Sequence, residues 1–423
     1  MKRFEFAFFT AALLAGASSA CAQTTTQCQP VETRAANASG QKPAFEGQTR
    51  ACSVRSGVAF DVTVVAKGLD RPWAVEPLSD GSFLITERSG QLRVVSAKGE
   101  TSEPIAGLSA GGPVPANGAK APADLPRIAV GGQGGLLDVA LSPDFQKDRT
   151  IFWSFSEQRE GGSGTSVARG VLSPDRKRVE QVRVIFRAMP TYNNSAHFGS
   201  RLAFGPDGKL YITLGERFDI QNTRPQAQHL NSHLGKVIRI NADGSVPGDN
   251  PFVKQQGALP EIWSVGHRNI QSSTFDDKGR LWIIEHGAQG GDELNLIEKG
   301  KNYGWPIISY GEEYSGEPIP GNITAKAGLE QPVYYWDPVI APSGAQYYTG
   351  SAFPAWRGSI FIGGLASERL VRVVIKDNRV TGEEHLLMDR GQRIRDVRQG
   401  PDGALYVVTD ESNGELWKIA PKR

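Results

Sequence analysis

The sequence predicts an all-β fold: a six-bladed β-propeller of four-stranded blades, with long loops over one end of its axis. Three observations carry this. A short unit recurs about six times, its strands alternate large apolar and small residues, and residues 57–423 show almost no helical periodicity.

The unit is an Asp/Gly turn, a β-rich run, a polar break and often a further strand. It reads SDGSFLITERSGQLRVV from Ser79, GPDGKLYITLGER from Gly205, DDKGRLWIIEHG from Asp276 and GPDGALYVVTDESNGELWKI from Gly400. SPDFQKDRTIFWSFSE from Ser142 and WRGSIFIGGLASERLVRVVI from Trp356 are looser copies. Asp and Gly supply the turn backbone, and short strands bounded by such turns read as antiparallel β-sheet. A propeller spends the whole length on one closed domain. Two separate sandwiches are the alternative, but nothing like a linker divides the chain after Ser56.

Ahead of the repeats stand two segments of other character. MKRFEFAFFTAALLAGASSACAQ carries Lys2 and Arg3, then an apolar run to Leu14, then small residues ending in Ala20, Cys21 and Ala22. The run is far shorter than the roughly 20 residues a bilayer span needs, so residues 1–22 read as a secretory signal peptide cut after Ala22. The expected location is periplasmic or secreted. A lipid anchor at Cys21 is the lesser alternative, with Ser18 standing where such signals prefer Leu. Residues 23–56, rich in Thr, Gln, Ala and Gly, read as a polar arm. In an oxidising compartment Cys28 and Cys52 are expected to form one disulfide that staples this arm to the body; two unpaired thiols are the other reading.

Composition narrows the function. With 47 basic and 45 acidic residues among 423, the formal charge is +2, so no global field favours nucleic acid or an anionic membrane. No transmembrane segment is expected. Without heptads or an apolar stripe, the chain is read as a monomer or homodimer. Irregular stretches from Ser109, Asn241 and Tyr310 are too long for hairpin turns and are expected to wall a cleft at one end of the axis.

Several polar residues stand at comparable places in the repeats: Gln133 in GGQGGLLDVA, His197 in SAHFGSRLAF, Arg268 and Asn269 in SVGHRNIQS, and Arg393 and Arg395 in QRIRDVRQGPDG. Inner strands of a propeller line its channel, so such positions converge. Three arginines with Gln and Asn would hold a planar polyanion through bidentate guanidinium contacts, and a histidine among them could take a proton. Each also has an ordinary reading: a surface ion pair for an arginine, a solvated strand face for Arg393 and Arg395, a plain loop residue for Gln133, and a carbonyl-satisfied structural histidine for His197.

The stretch EHGAQGGDELNLIEKGKNYGWP at 285–306 joins glycines with Asp292 and Glu293. Exposed backbone around Gly287 and Ala288 together with carboxylates suits calcium, though a purely structural turn is also open. Zinc is poorly served, because the histidines lack ligand spacing. No dinucleotide-binding glycine fingerprint, phosphate-binding loop or nucleophile elbow is present.

Together GGQGGLLDVALSPDF, HFGSRLAFGPDGKLYITLGER, LGKVIRINADGSVPGDNPF, EIWSVGHRN, EHGAQGGDELNLIEKGKNYGWP and RIRDVRQGPDGALYVVTD resemble the soluble pyrroloquinoline quinone (PQQ)-dependent glucose/aldose sugar dehydrogenase family. The likeness runs from about Gly57 to the C-terminus and leans to the periplasmic aldose sugar dehydrogenase branch through NYGWP and EEYSG. It implies a six-bladed quinoprotein that oxidises the anomeric hydroxyl of an aldose to a lactone. PQQ and Ca2+ are the implied cofactors, and an external electron acceptor the implied partner.

Carried over by motif, His197 is the base and Arg268 stabilises charge on the quinone. Gln133, Arg268, Asn269, Arg393, Arg395 and Tyr314 contact the cofactor, with Gln133 and Trp336 near the substrate. Gly287 and Ala288 offer carbonyls to the cofactor calcium, while Glu293 and Tyr303 match a second calcium position. One departure stands out: where the glucose dehydrogenase branch places a lysine on the cofactor, GGLASERL has Ala366 or a neighbour. A calcium-dependent propeller lactonase and a non-catalytic sugar- or protein-binding propeller are the rival functions.

Overall fold

A computed structural model describes Met1 and residues 28–110 and 125–422. The expected signal sequence, Cys21 included, and most of the loop from Ser109 lie outside the described residues.

Strand β1 (Phe60–Leu69) opens the ordered sequence of strands. Blade one follows with β2 (Pro72–Pro77), β3 (Phe83–Glu87) and β4 (Gln91–Val95). Blade two has β5 (Leu136–Leu141), a single helical turn α1 (Phe145–Asp148), β6 (Thr150–Arg159), β7 (Gly162–Leu172) and β8 (Val179–Arg187). Blade three has β9 (Leu202–Phe204), β10 (Leu210–Thr213), β11 (Lys236–Ile240) and β12 (Ile262–Val265). Blade four has β13 (Ile270–Phe275), β14 (Leu281–Glu285), β15 (Asp292–Ile297) and β16 (Tyr334–Trp336). Blade five has β17 (Pro342–Tyr347), β18 (Ser359–Gly364), β19 (Arg369–Lys376) and β20 (Arg379–Leu386). Blade six has β21 (Ile394–Gln399), β22 (Leu405–Thr409) and β23 (Gly414–Pro421), and takes β1 as its outer strand.

The expected six-bladed propeller is the fold, with one local difference. Blade one has three regular strands among the described residues. The segment beyond β4 takes the fourth place irregularly: Ser102 N–H donates to Val94 O (2.8 Å) and Ile105 N–H to Leu92 O (2.7 Å). Pro104 lies between them and has no N–H to give. The ring closes where β1 pairs antiparallel with β23, from Phe60 opposite Pro421 to Leu69 opposite Gly414.

Each repeat copy proves to start at or near the turn of a blade's inner hairpin and to hold that blade's second strand, in several copies with the third. In the clearest copies Gly81, Gly208, Gly279 and Gly403 all sit at positive φ, between 70° and 82°, where a side chain would be strained. The turn aspartates Asp80, Asp207, Asp276 and Asp402 each accept the N–H two residues on, at 3.0–3.1 Å. Alternation then buries Ile, Leu, Val and Trp between adjacent blades, as in the cluster of Trp282, Ile284, Leu294, Ile360, Ile362 and Val371.

Neighbouring inner strands β2, β5, β9, β13, β17 and β21 contact one another around the axis. Their polar members form a buried charge cluster. Arg201 Nη1 lies 3.2 Å from both Asp138 and Asp396, its Nε donates to Gln271 O (2.8 Å), and its guanidinium stacks 3.9 Å from the Trp73 ring. The two carboxylates also take backbone N–H groups of Leu202 and Val75, so every charge in the axis has partners.

The N-terminal segment is attached to the body otherwise than expected. Cys28 and Cys52 are bonded, with Cα atoms 5.2 Å apart, but both lie in the segment, so the bridge closes the arm on itself rather than onto the body. Backbone pairing makes the attachment: Val54 N–H donates to Glu383 O (3.0 Å), Glu383 N–H to Cys52 O (2.9 Å) and Tyr335 N–H to Gln48 O (2.9 Å). The arm therefore straps the outer strands of blades four and five. No helix of the described residues is long and apolar enough to cross a membrane.

Candidate active site

An inner hairpin turns at one end of a blade, so the start of its first strand and the end of its second meet at the other end. That second end holds the site. Asn269 precedes β13, Ala341 precedes β17 and Arg393 precedes β21, while Arg88, His286, Leu365 and Asp410 are the residues that follow β3, β14, β18 and β22. All seven line one cavity of about 230 Å³, with Gln133 and Arg395 beside them and Trp73, Leu137 and Gln271 from the inner strands.

The expected set Gln133, Asn269, Arg393 and Arg395 is thus brought together. Arg393 donates through Nε (3.1 Å) and Nη2 (2.8 Å) to one oxygen of Asp410, and Arg395 Nε to the other (3.0 Å). These guanidinium groups hold the Asp410 carboxyl below its ordinary range. Asn269 is buried, its Oδ1 accepting from Gly199 N–H at 3.2 Å.

His197 is 4 % exposed and stands beside the cavity at φ +50°. Its backbone N–H donates to Gln133 Oε1 (2.8 Å), and Nδ1 lies 3.0 Å from Glu216 Oε1. Glu216 fixes the tautomer: Nδ1–H faces the carboxylate and Nε2 keeps its lone pair. Burial, with the Arg268 charge adding to it, lowers the imidazole pKa to about 4, so the ring is neutral near pH 7.

Arg268 bonds through Nη1 to the carbonyls of Gly287 and His286, with its own N–H held by Glu285 (2.6 Å). Its Nε and Nη2 are buried and have no protein partner. Its guanidinium lies 5.3 Å from the Trp305 ring and 6.0 Å from that of Tyr314. Tyr314 is 60 % exposed, near Phe218, and lines a separate surface pocket with Phe218 and Arg224.

The loop carrying Gly287 and Ala288 is tied down by Asp292, which accepts N–H groups from Gly287, Ile340 and Ala341, each at 2.8 Å. Burial raises its pKa to about 7. On the neighbouring strands Glu285 and Glu293 stand opposite one another, and Asn295 Nδ2 reaches both, at 3.1 and 3.3 Å. Burial and the Glu285 charge push the Glu293 carboxyl well up. Asn295 Oδ1 is buried without a partner.

Arg268, Gly287, Ala288, Glu293 and Tyr314 are not among the residues lining this cavity, and two further expected members are committed elsewhere. Trp336 lies on β16, the outer strand of blade four, inside the inter-blade core; it packs 5.0 Å from Tyr334 and donates Nε1–H to Glu383 at 3.1 Å. Outer strands are remote from the axis, so the structure removes Trp336 from the cavity. Tyr303 uses its hydroxyl on the backbone, donating to Leu296 O (2.6 Å) and accepting from Glu298 N–H (2.8 Å), while its ring stacks on His267. Ala366 is exposed, and GGLASERL contributes Leu365 to the cavity wall.

Residues missed in the sequence were Arg88, Glu216, His286 and Asp410. All stood in the quoted repeats, at or just past the end of the second strand, and comparing that column across copies would have found them.

The sequence profile of the family described as Glucose / Sorbosone dehydrogenase matches residues 69–418. The chain is 45% identical over 368 residues to aldose sugar dehydrogenase YliI of Escherichia coli (strain K12), covering 86% of this chain and 93% of that protein. It is 27% identical over 430 residues to quinoprotein glucose dehydrogenase B of Acinetobacter calcoaceticus, covering 83% and 85%. The solved apo-form of the soluble aldose sugar dehydrogenase from Escherichia coli matches with a TM-score of 0.78 at 44% identity, over 86% of this chain and 100% of that one. The PQQ-bound form of the aldose sugar dehydrogenase from Streptomyces coelicolor matches at 0.67 and 28%, over 86% and 99%.

Proposed function

The chain belongs to the glucose/sorbosone dehydrogenase family, and from that premise we propose that it is a PQQ-dependent aldose sugar dehydrogenase, oxidising the anomeric hydroxyl to a lactone. The observation that carries the cofactor reading is the pair of buried, unpartnered donors on Arg268, the chain neighbour of Asn269, which lines the cavity whose wall holds Arg393 and Arg395. Buried donors without partners are costly, and a polycarboxylate would satisfy them.

When bound, the quinone supplies the acceptor for the hydride of the sugar C–H bond. Arg268, Arg393, Arg395 and Asn269 would hold it. His197 takes the hydroxyl proton at Nε2, with Glu216 orienting the ring and stabilising the imidazolium. Gln133 spends its amide oxygen on the His197 backbone, leaving its NH2 to donate to the sugar. Tyr314 covers the Arg268 side.

For calcium, Gly287 and Ala288 offer backbone oxygens beside the cofactor position. Arg268 already donates to the Gly287 carbonyl, so a cation there would share that oxygen with a guanidinium. A second hard-cation position is supported by Glu293 with Glu285 and the unpartnered Asn295 Oδ1; Tyr303, its hydroxyl engaged by the backbone, would contribute only through its main-chain oxygen. Residues 1–22 and the Cys28–Cys52 bridge support export to the periplasm or beyond. The electrons leave to an external acceptor.

The test is to load the purified chain with PQQ and calcium and follow dye reduction by glucose. Activity that needs both is expected. Lactone hydrolysis without quinone would select the lactonase, and silence in both assays a binding propeller.

A further inference from the structure

Arg88 lines the same cavity as Arg393, Arg395 and Asp410. It follows β3 as His286 follows β14 and Asp410 follows β22, so the repeat geometry that builds the site delivers it there. Its Nη2 donates to Gly132 O at 2.5 Å, while its Nε is buried and has no protein partner. Gly135 packs against the Arg88 main chain, where an added Cβ would fall 2.0 Å from the Arg88 carbonyl oxygen, so the backbone at this point has little freedom.

Charge points the same way. The cavity wall here holds three guanidinium groups, Arg88, Arg393 and Arg395, and one carboxylate, Asp410, which is already shared by two of them. Arg88 is near enough for its charge to act on Arg395. The stretch GGLASERL adds Leu365 and no cation.

We infer that Arg88 is a further anchoring residue for the quinone cofactor, binding one of its carboxylates through Nε while Nη2 holds the Gly132–Gln133 turn. The inference rests on the quinone reading above. Gln133 accepts the His197 N–H and donates its own N–H to Ser195 O (2.8 Å), so the same guanidinium couples cofactor binding to the segment bearing the base. It also supplies a cation in a site whose blade-five loop has none.

The test titrates PQQ into the full chain and into Arg88→Met and Arg88→Lys at fixed calcium, reading tryptophan fluorescence without sugar or dye. Arg88→Met should weaken binding about 10- to 100-fold, the effect of losing a charge-assisted hydrogen bond, and should flatten the dependence of affinity on salt. Arg88→Lys keeps the charge but lacks Nε and should fall between. Circular dichroism follows the fold; if Arg88→Met does not fold, Arg88→Lys decides alone. Wild-type affinity in a folded Arg88→Met, or in Arg88→Lys where that variant decides, overturns the role of Arg88 and leaves the quinone reading standing. A wild-type chain that binds no PQQ overturns both.

Discussion

At the scale of single residues, the proposed role of His197 rests on its partners rather than its type. This histidine has a carboxylate at Nδ1, a main-chain anchor on Gln133 and a pKa depressed to about 4, the surroundings that the proposed base needs. His197→Ala should leave PQQ affinity near wild type and lower kcat by about two to four orders of magnitude, the range of general-base catalysis, as measured by dye reduction. An unchanged kcat would take His197 out of the mechanism. The depressed pKa carries into the pH profile of the PQQ- and calcium-loaded enzyme: kcat/KM should rise with an apparent pKa near 4 instead of the ordinary 6.5. Glu216→Gln removes the charge that favours the imidazolium, so it should move that limb to still lower pH. For stability the sign is separate. Between 6.5 and about 4 the unfolded chain binds a proton that buried His197 refuses, so its contribution is complete above 6.5 and is lost as pH falls.

At the scale of elements, the instructive unit is the loop between β14 and β15. Asp292 read as one acidic residue among several in a possible metal loop, yet its carboxylate is used on three backbone N–H groups that join blade four to the start of blade five. Asp292→Ala should cost roughly 1–3 kcal/mol for each buried donor left without a partner, seen as a lower thermal midpoint, and should loosen the Gly287 carbonyl. Calcium-dependent gain in PQQ affinity should shrink with it; a variant with wild-type stability and calcium response would return the loop to a passive turn. Glu293→Ala should lower the thermal midpoint mainly when calcium is present, because ligand-linked stabilisation is what it removes.

At the scale of the molecule, the ring is closed by β1 on β23 and strapped by the disulfide-closed arm. Because the bridge joins residues 24 apart in sequence within the arm, replacing both Cys28 and Cys52 by Ser should cost about 3.5 kcal/mol at most in the chain-entropy account. Quinone affinity should persist, since the axis and cavity are built from inner strands. Deleting residues up to Leu69 is a different matter: it leaves β23 an unpaired edge and blade six short of a strand, and the expected outcome is aggregation instead of a folded ring. Size-exclusion chromatography separates the two cases.

The repeat determined the fold by itself. An Asp/Gly turn at positive φ followed by alternating apolar residues is local physics, readable wherever it occurs, and six copies leave a ring as the way to bury both faces of every blade. That Gln133, Asn269, Arg393 and Arg395 share one cavity was legible for the same reason, since comparable places in a repeat become neighbours around an axis. Partnership was not legible. Nothing local tells that Glu216 orients His197, that Asp410 serves two arginines, that Tyr303 spends its hydroxyl on the backbone, or that Trp336 belongs to an outer strand. Those facts depend on hydrogen-bond partners far apart in sequence and on distance from the axis, and only the closed tertiary structure sets either.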